Sequence, residues 1–259
     1  MHSRHIDAER AVLSINDTWL DRVIEAHRIC PFARPCRTHG KLMRRVMWQT
    51  APDVDAAMRA IAEFEADACA DAEIGLLIFP NLATVATKTF DSFHVAVREA
   101  YEARWGDGQQ FYLVPFHPQY AFDDGDAHRL VRFWRKSPDP AFQFVRIAVL
   151  DAVRGTDRAA AISHEIQRRL ADGTDIDEVL TWLEAQKAPV ALADQVSQDN
   201  FRTMQRHRRG AFEAILTEIN ELRHRAYAAA GLNETAAGGW ADSPWTRIAD
   251  AADHAATPA

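Results

Sequence analysis

A histidine held between an aromatic residue and a proline is the strongest chemical feature of the chain. Phe116-His117-Pro118-Gln119-Tyr120 follows a short apolar run, Phe111 to Pro115, that reads as a strand. Proline fixes the backbone beside the imidazole, which suits a metal or haem-iron ligand or a general base. The plainer role is a histidine that caps the sheet edge through backbone hydrogen bonds, and the residues alone leave both open.

Two further groups carry chemistry. Arg129, Arg132, Arg135, Lys136 and Arg146 are interleaved with Phe133, Trp134 and Phe142. Taken singly each is a solvated cation, but together they resemble an anion clamp with charge held against aromatic surface. Cys30 opens a Cys-Pro-Phe segment after a helix and lacks a helix N-terminus to lower its pKa, so packing is its simpler role. Cys30, Cys36 and His39 form a cluster that could hold a metal, although the spacing matches no zinc pattern. Direct Cys30–His117 cooperation requires the two to lie within hydrogen-bond reach.

The elements that must position these groups follow from periodicity. The 259 residues, 47% hydrophobic and 26% charged, suit one sizeable core or one core with an appended helical unit. A helix opens at Asp17-Thr18, carries Trp19, Leu20, Val23 and Ile24, and ends near Pro31; Cys30 to Cys36, with two prolines, reads as a rigid loop. Strands are expected over 42–49, 74–79 and 111–116, with helices over 53–69 and 90–104 between them. Residues 122–136 read as irregular, and helices are expected over 142–153, 159–170, 176–186 and 200–229. The fold class is therefore α/β (α+β): a small mixed sheet of three or more strands covered by helices, then a helical C-terminal region. The domain reading is a core over 1–154, a helical extension packed on it over 155–237, and a loosely ordered tail over 238–259 in which Trp240 and Trp245 can dock.

Composition excludes several classes. A net charge of −7 and a pI near 5.9 argue against nucleic acid as a partner, and the Arg202, Arg206, Arg208 and Arg209 cluster reads as a solvated helix face. No apolar run spans a bilayer, the first residues offer no apolar signal core, and three cysteines make a disulfide framework unexpected, so a cytoplasmic protein is expected. There is no phosphate-binding glycine loop, GxSxG elbow or CxxC pair; Gly106 and Gly108 precede a strand, outside the dinucleotide-binding context.

Cys30-Pro31-Phe32-Ala33, the apolar run ending at Pro80, Phe116-His117-Pro118, and Ser137-Pro138-Asp139-Pro140 followed by Phe144-Val145-Arg146 resemble, in order and spacing, the domain of unknown function 1415 family over about residues 17 to 153. That family usually has Asn-Arg before the Ser-Pro and His-Leu-Leu-Arg-Glu after it. Here Arg135-Lys136 and Gln143-Phe144-Val145-Arg146-Ile147 stand in those places, so the acidic residue is lost. The same segments are similar to YqcI/YcgG-type proteins, some of them haem-dependent oxygenases acting on amino-acid nitrogen atoms. That likeness implies His117 as the iron ligand, with Arg132, Arg135, Lys136 and Arg146 about the haem carboxylates. The expectation is a haem-dependent oxidoreductase modifying a small polar metabolite through Cys30, His117 and Arg135. The alternatives are a non-catalytic binding domain for an anionic metabolite, or a metal- or thiol-dependent enzyme using Cys30 and His117. The partner is a small molecule, with a homodimer left open.

Overall fold

A computed structural model of the chain describes residues 2–30, 32–66, 71–122, 127–154, 156–172, 174–185, 192–232 and 240–248; within these, side chains at 2–3, 107, 127–129, 151–154, 156–161, 184–185 and 192–209 are outside the description. Among the described residues a five-stranded mixed sheet runs β3-β4-β2-β1-β5. Its strands are β1 (Leu42–Val46), β2 (Ile74–Ile78), β3 (Phe111–Phe116), β4 (Ala141–Arg146) and β5 (Thr246–Arg247). β1 and β2 are parallel and joined through α3 (Val54–Ala66); the β2–β4, β3–β4 and β1–β5 pairs are antiparallel.

Each strand presents alternate residues to two separate cores, because successive side chains point to opposite faces. One face carries Gly75, Leu77, Phe111, Leu113, Phe142 and Phe144 and is covered by α3 and α4 (Thr87–Trp105). It is so closely packed that a Cβ on Gly75 would lie 3.0 Å from the Phe64 ring and 3.1 Å from that of Phe144, so only glycine sits there without displacing them. The other face carries Leu42, Leu76, Val114 and Phe116 and is covered by α1 (His2–Trp19), its π-helical continuation (Leu20–Glu25), α2 (Ala33–Thr38), α5 (Ala127–Trp134) and α9 (Leu192–Ala229). α6 (Ile147–Arg154), α7 (Thr156–Ala171) and α8 (Ile176–Ala185) precede α9, which completes the helical C-terminal region.

Several local expectations are corrected. The first helix begins at His2 and not at Asp17: Ala8, Val12, Ile15 and Trp19, all buried, form a stripe that the surrounding charges conceal. The Cys30–Cys36 stretch is not all loop, since α2 starts at Ala33 and takes Pro35 in its first turn, where a backbone N–H has no intrahelical partner. Residues 127–134 are helical instead of irregular, and 141–146 form an inner strand instead of a helix start. Thr246–Arg247 add β5 to the sheet, and Trp240, one of the two tryptophans expected to dock, packs on Trp48 and His5. Phe212, Ile219 and Tyr227 of α9 are buried in the core on the α1 face of the sheet. Pro31 and Cys69 lie outside the described residues, as do the side chains of Arg129, Arg202, Arg206, Arg208 and Arg209. No helix among the described residues is long and apolar enough to cross a membrane.

Candidate functional site

The face of the sheet covered by α1 and α5, the open face, holds a half-open pocket of about 220 Å³. Its floor is a cross-strand row, Leu76, Gln143 and Val114, set by the β2–β4 and β4–β3 registers. Trp19, Leu20 and Ile24 form its roof, from the point where α1 widens into the π segment. Such π segments are frequent at functional sites. Trp134 and Arg135, at the end of α5, close one side, and Ile29, Cys30 and Ala33 close another.

The turn feeding that last wall is strained. Arg28 has φ 54°, the left-handed region that glycine normally occupies after a helix, and the Ile29 N–H donates to the Ile24 carbonyl at 2.9 Å to close the helix end. Strain of this kind persists where surrounding packing dictates it, and here it delivers Ile29 and Cys30 to the pocket.

Arg135 is the charged group of the pocket. It is half-buried, and burial lowers its guanidinium from the ordinary value, opposed by Tyr112, Tyr120 and Asp91 and reinforced by Arg132. No hydrogen bond or ion pair reaches its side chain among the described residues. The carboxylate that acts on it, Asp91, is already engaged, accepting from the Tyr120 hydroxyl at 2.5 Å and from Arg132. Cys30 shares the pocket, but burial pushes its thiol up, against the Phe32 and Ala33 backbone amides, so it is not a ready nucleophile.

His117 lies elsewhere. Phe116 faces the pocket, so its neighbour points to the opposite side of the sheet, where His117 is fully buried against the rings of Phe90 and Tyr120. Its N–H donates to the Arg135 carbonyl at 3.0 Å, and its Nδ1 accepts from the Gln119 N–H at 3.1 Å. That second bond puts the ring proton on Nε2, which finds no partner in hydrogen-bond geometry although the Val85 backbone lies close enough to favour the charged ring. Burial dominates and lowers its pKa. These residues do not fit haem: the imidazole carries its proton on the nitrogen that would bind iron, and it lines neither of the cavities beside it. Cys30 and His117 share no hydrogen bond and no pocket wall, and the sheet separates them.

The cationic segment is dispersed as well. Arg132 pairs with Asp91 and lies over the Tyr120 ring at 5.1 Å. Lys136 sits 5.8 Å over the Phe133 ring and faces a second, polar cavity of about 560 Å³, bounded by Pro118, Ser137, Asn220 and His224. Arg146 is at the far end of β4, donating to the Ala72 carbonyl and the Gln110 amide at 3.0 Å each. Cys36 donates to Glu73 at 3.2 Å, which helps push its thiol up to about 12, and His39 Nδ1 donates to the Pro35 carbonyl at 2.8 Å. No group of three or more His, Cys, Asp or Glu among the described residues is arranged to hold a metal.

Sequence reasoning missed two features. Gln143 was hidden in a stretch that reads as helix. Asp139 of the Ser-Pro-Asp-Pro segment accepts from Arg223 Nε at 2.8 Å and from the Tyr227 hydroxyl at 2.5 Å, a buried cluster that ties α9 to the sheet; its signal was an aspartate between prolines, but its partners lie over eighty residues away.

Fold and site together define an α/β domain with a cation that has no partner among the described residues on the wall of a half-open, largely apolar pocket. The chain belongs to the family described as Protein of unknown function (DUF1415), whose profile matches residues 11–173. No curated protein and no solved structure matches it.

Proposed function

We propose that the chain binds a small organic anion in the pocket between the sheet and α1, with Arg135 receiving the charge. The observation that carries this reading is a desolvated guanidinium with no counter-ion among the described residues on a largely apolar wall. Leaving such a charge unpaired is costly, and a bound anion removes the cost through charge-assisted hydrogen bonds. The raised thiol of Cys30 favours binding over nucleophilic catalysis. The free thiols of Cys30 and Cys36 suit a reducing compartment, so the ligand is sought among cytoplasmic metabolites.

The test is thermal unfolding of the full chain against a panel of small organic acids and their neutral amides. Acids should raise the midpoint and amides should not, and Arg135→Met should remove the difference while leaving the chain folded by circular dichroism. Equal responses to acid and amide would sink the proposal.

A further inference from the structure

The pocket carries a second polar side chain without a partner. Gln143 stands on its floor between Leu76 and Val114, and no hydrogen bond reaches its amide among the described residues. Gln143 is half-buried, and an unpartnered amide facing the same space as Arg135 marks the place of a head group. A guanidinium offers paired donors and an amide a further donor, which together match the two oxygens of one carboxylate.

The rest of the wall limits what can be attached to that carboxylate. Leu20, Ile24, Ile29, Leu42 and Leu76 offer no second cation, so a second charge on the ligand would be stranded in apolar surroundings. Size sets a further bound: an apolar cavity of roughly 150 Å³ accepts benzene, and this one, at about 220 Å³, has space for one ring and a short arm. Trp19, Phe116 and Trp134 supply aromatic faces and edges, and Trp19 is held in place by its indole N–H donating to the Lys136 carbonyl at 3.0 Å.

We infer that the ligand is an aromatic monocarboxylate with one ring on a short arm, its carboxylate shared by Arg135 and Gln143 and its ring held among Trp19, Phe116 and Trp134. This rests on the reading of Arg135 as the anion anchor and narrows it to one chemical class. Gln143 is then a specificity-determining residue.

Isothermal titration of the full chain with 3-phenylpropionate, 3-phenylpropionamide, octanoate and glutarate tests it. The aromatic acid should bind at least about tenfold more tightly than its amide and than glutarate, and several-fold more tightly than octanoate. Gln143→Leu should weaken the acid about fivefold to tenfold and leave the amide unchanged, a pattern that loss of packing does not give. Val114→Phe, which fills the pocket, should abolish binding in a chain that still unfolds cooperatively. If octanoate or glutarate binds as well as the aromatic acid, or Gln143→Leu weakens acid and amide alike, the inference is overturned; the Arg135 reading survives if Arg135→Met still removes acid binding. If the aromatic acid binds undiminished to Val114→Phe, the pocket is the wrong site. If none of the four binds, both fall.

Discussion

The two faces of the sheet solve the burial of polar groups in opposite ways. On the face covered by α3 and α4, His94 and His117 are packed against Phe90 and Phe142, and burial lowers both imidazoles so that they stay neutral. On the face covered by α1 and α5, Arg135 keeps its charge beside an open cavity. A group that can lose its proton is tolerated in a closed core; a guanidinium cannot, and needs either a carboxylate or a vacancy that an anion can enter. The first face is therefore a closed scaffold, and the second holds the pocket proposed to receive the anion.

The largest expected effect comes at the join between the open face and α9. Asp139→Ala leaves Arg223 buried without its partner and should destabilise the chain by about 3–5 kcal/mol in urea titration. A loss under about 1 kcal/mol would mean that α9 is not held to the sheet through this cluster.

The closed face should respond to acid. Burial depresses His94 from 6.5 to about 4, so below pH 6.5 the unfolded chain binds a proton that the folded chain refuses. Stability is complete above that pH and falls progressively towards pH 4, by about 3 kcal/mol for His94, with His117 acting in the same direction. His94→Gln should lose correspondingly less between pH 7 and pH 4.5, and an unchanged acid loss would contradict the neutral-core account.

The smallest effect has the opposite sign. Arg135→Met removes a desolvated charge without breaking a bond within the protein, and should leave stability unchanged or raise it by up to about 1 kcal/mol. Marked destabilisation would show that Arg135 serves the fold, and the contrast between the faces would fail.

Much of this was legible before any coordinates. The strands over β2 and β3 announced themselves as apolar runs with turn residues at their ends, and α4 showed a stripe of Phe93, Val97, Ala100 and Tyr101. Alternation at the end of β3 puts Phe116 and His117 on opposite faces, which sequence reasoning missed, and this geometry denies His117 a place beside Cys30. Four local signals failed. Ala141–Arg146 has a run of apolar residues too short to tell strand from helix, so Gln143 could not be assigned a face. Ala127–Trp134 hid a helix under charge, the stripe of α1 depends on one small residue, Ala8, and two residues of strand at Thr246 leave no periodic trace.

That last strand has a consequence for how the molecule is made. The Thr246 hydroxyl donates to the Arg44 carbonyl across 202 positions of chain, and nearby the Ser243 hydroxyl accepts from the Val46 N–H and the Asp242 carboxylate from the Trp48 N–H. The outer edge of β1 is among the first sheet edges to leave the ribosome and the last to be sealed. Until its native partner arrives it is an unpaired template for other strands, an exposure that β5 removes.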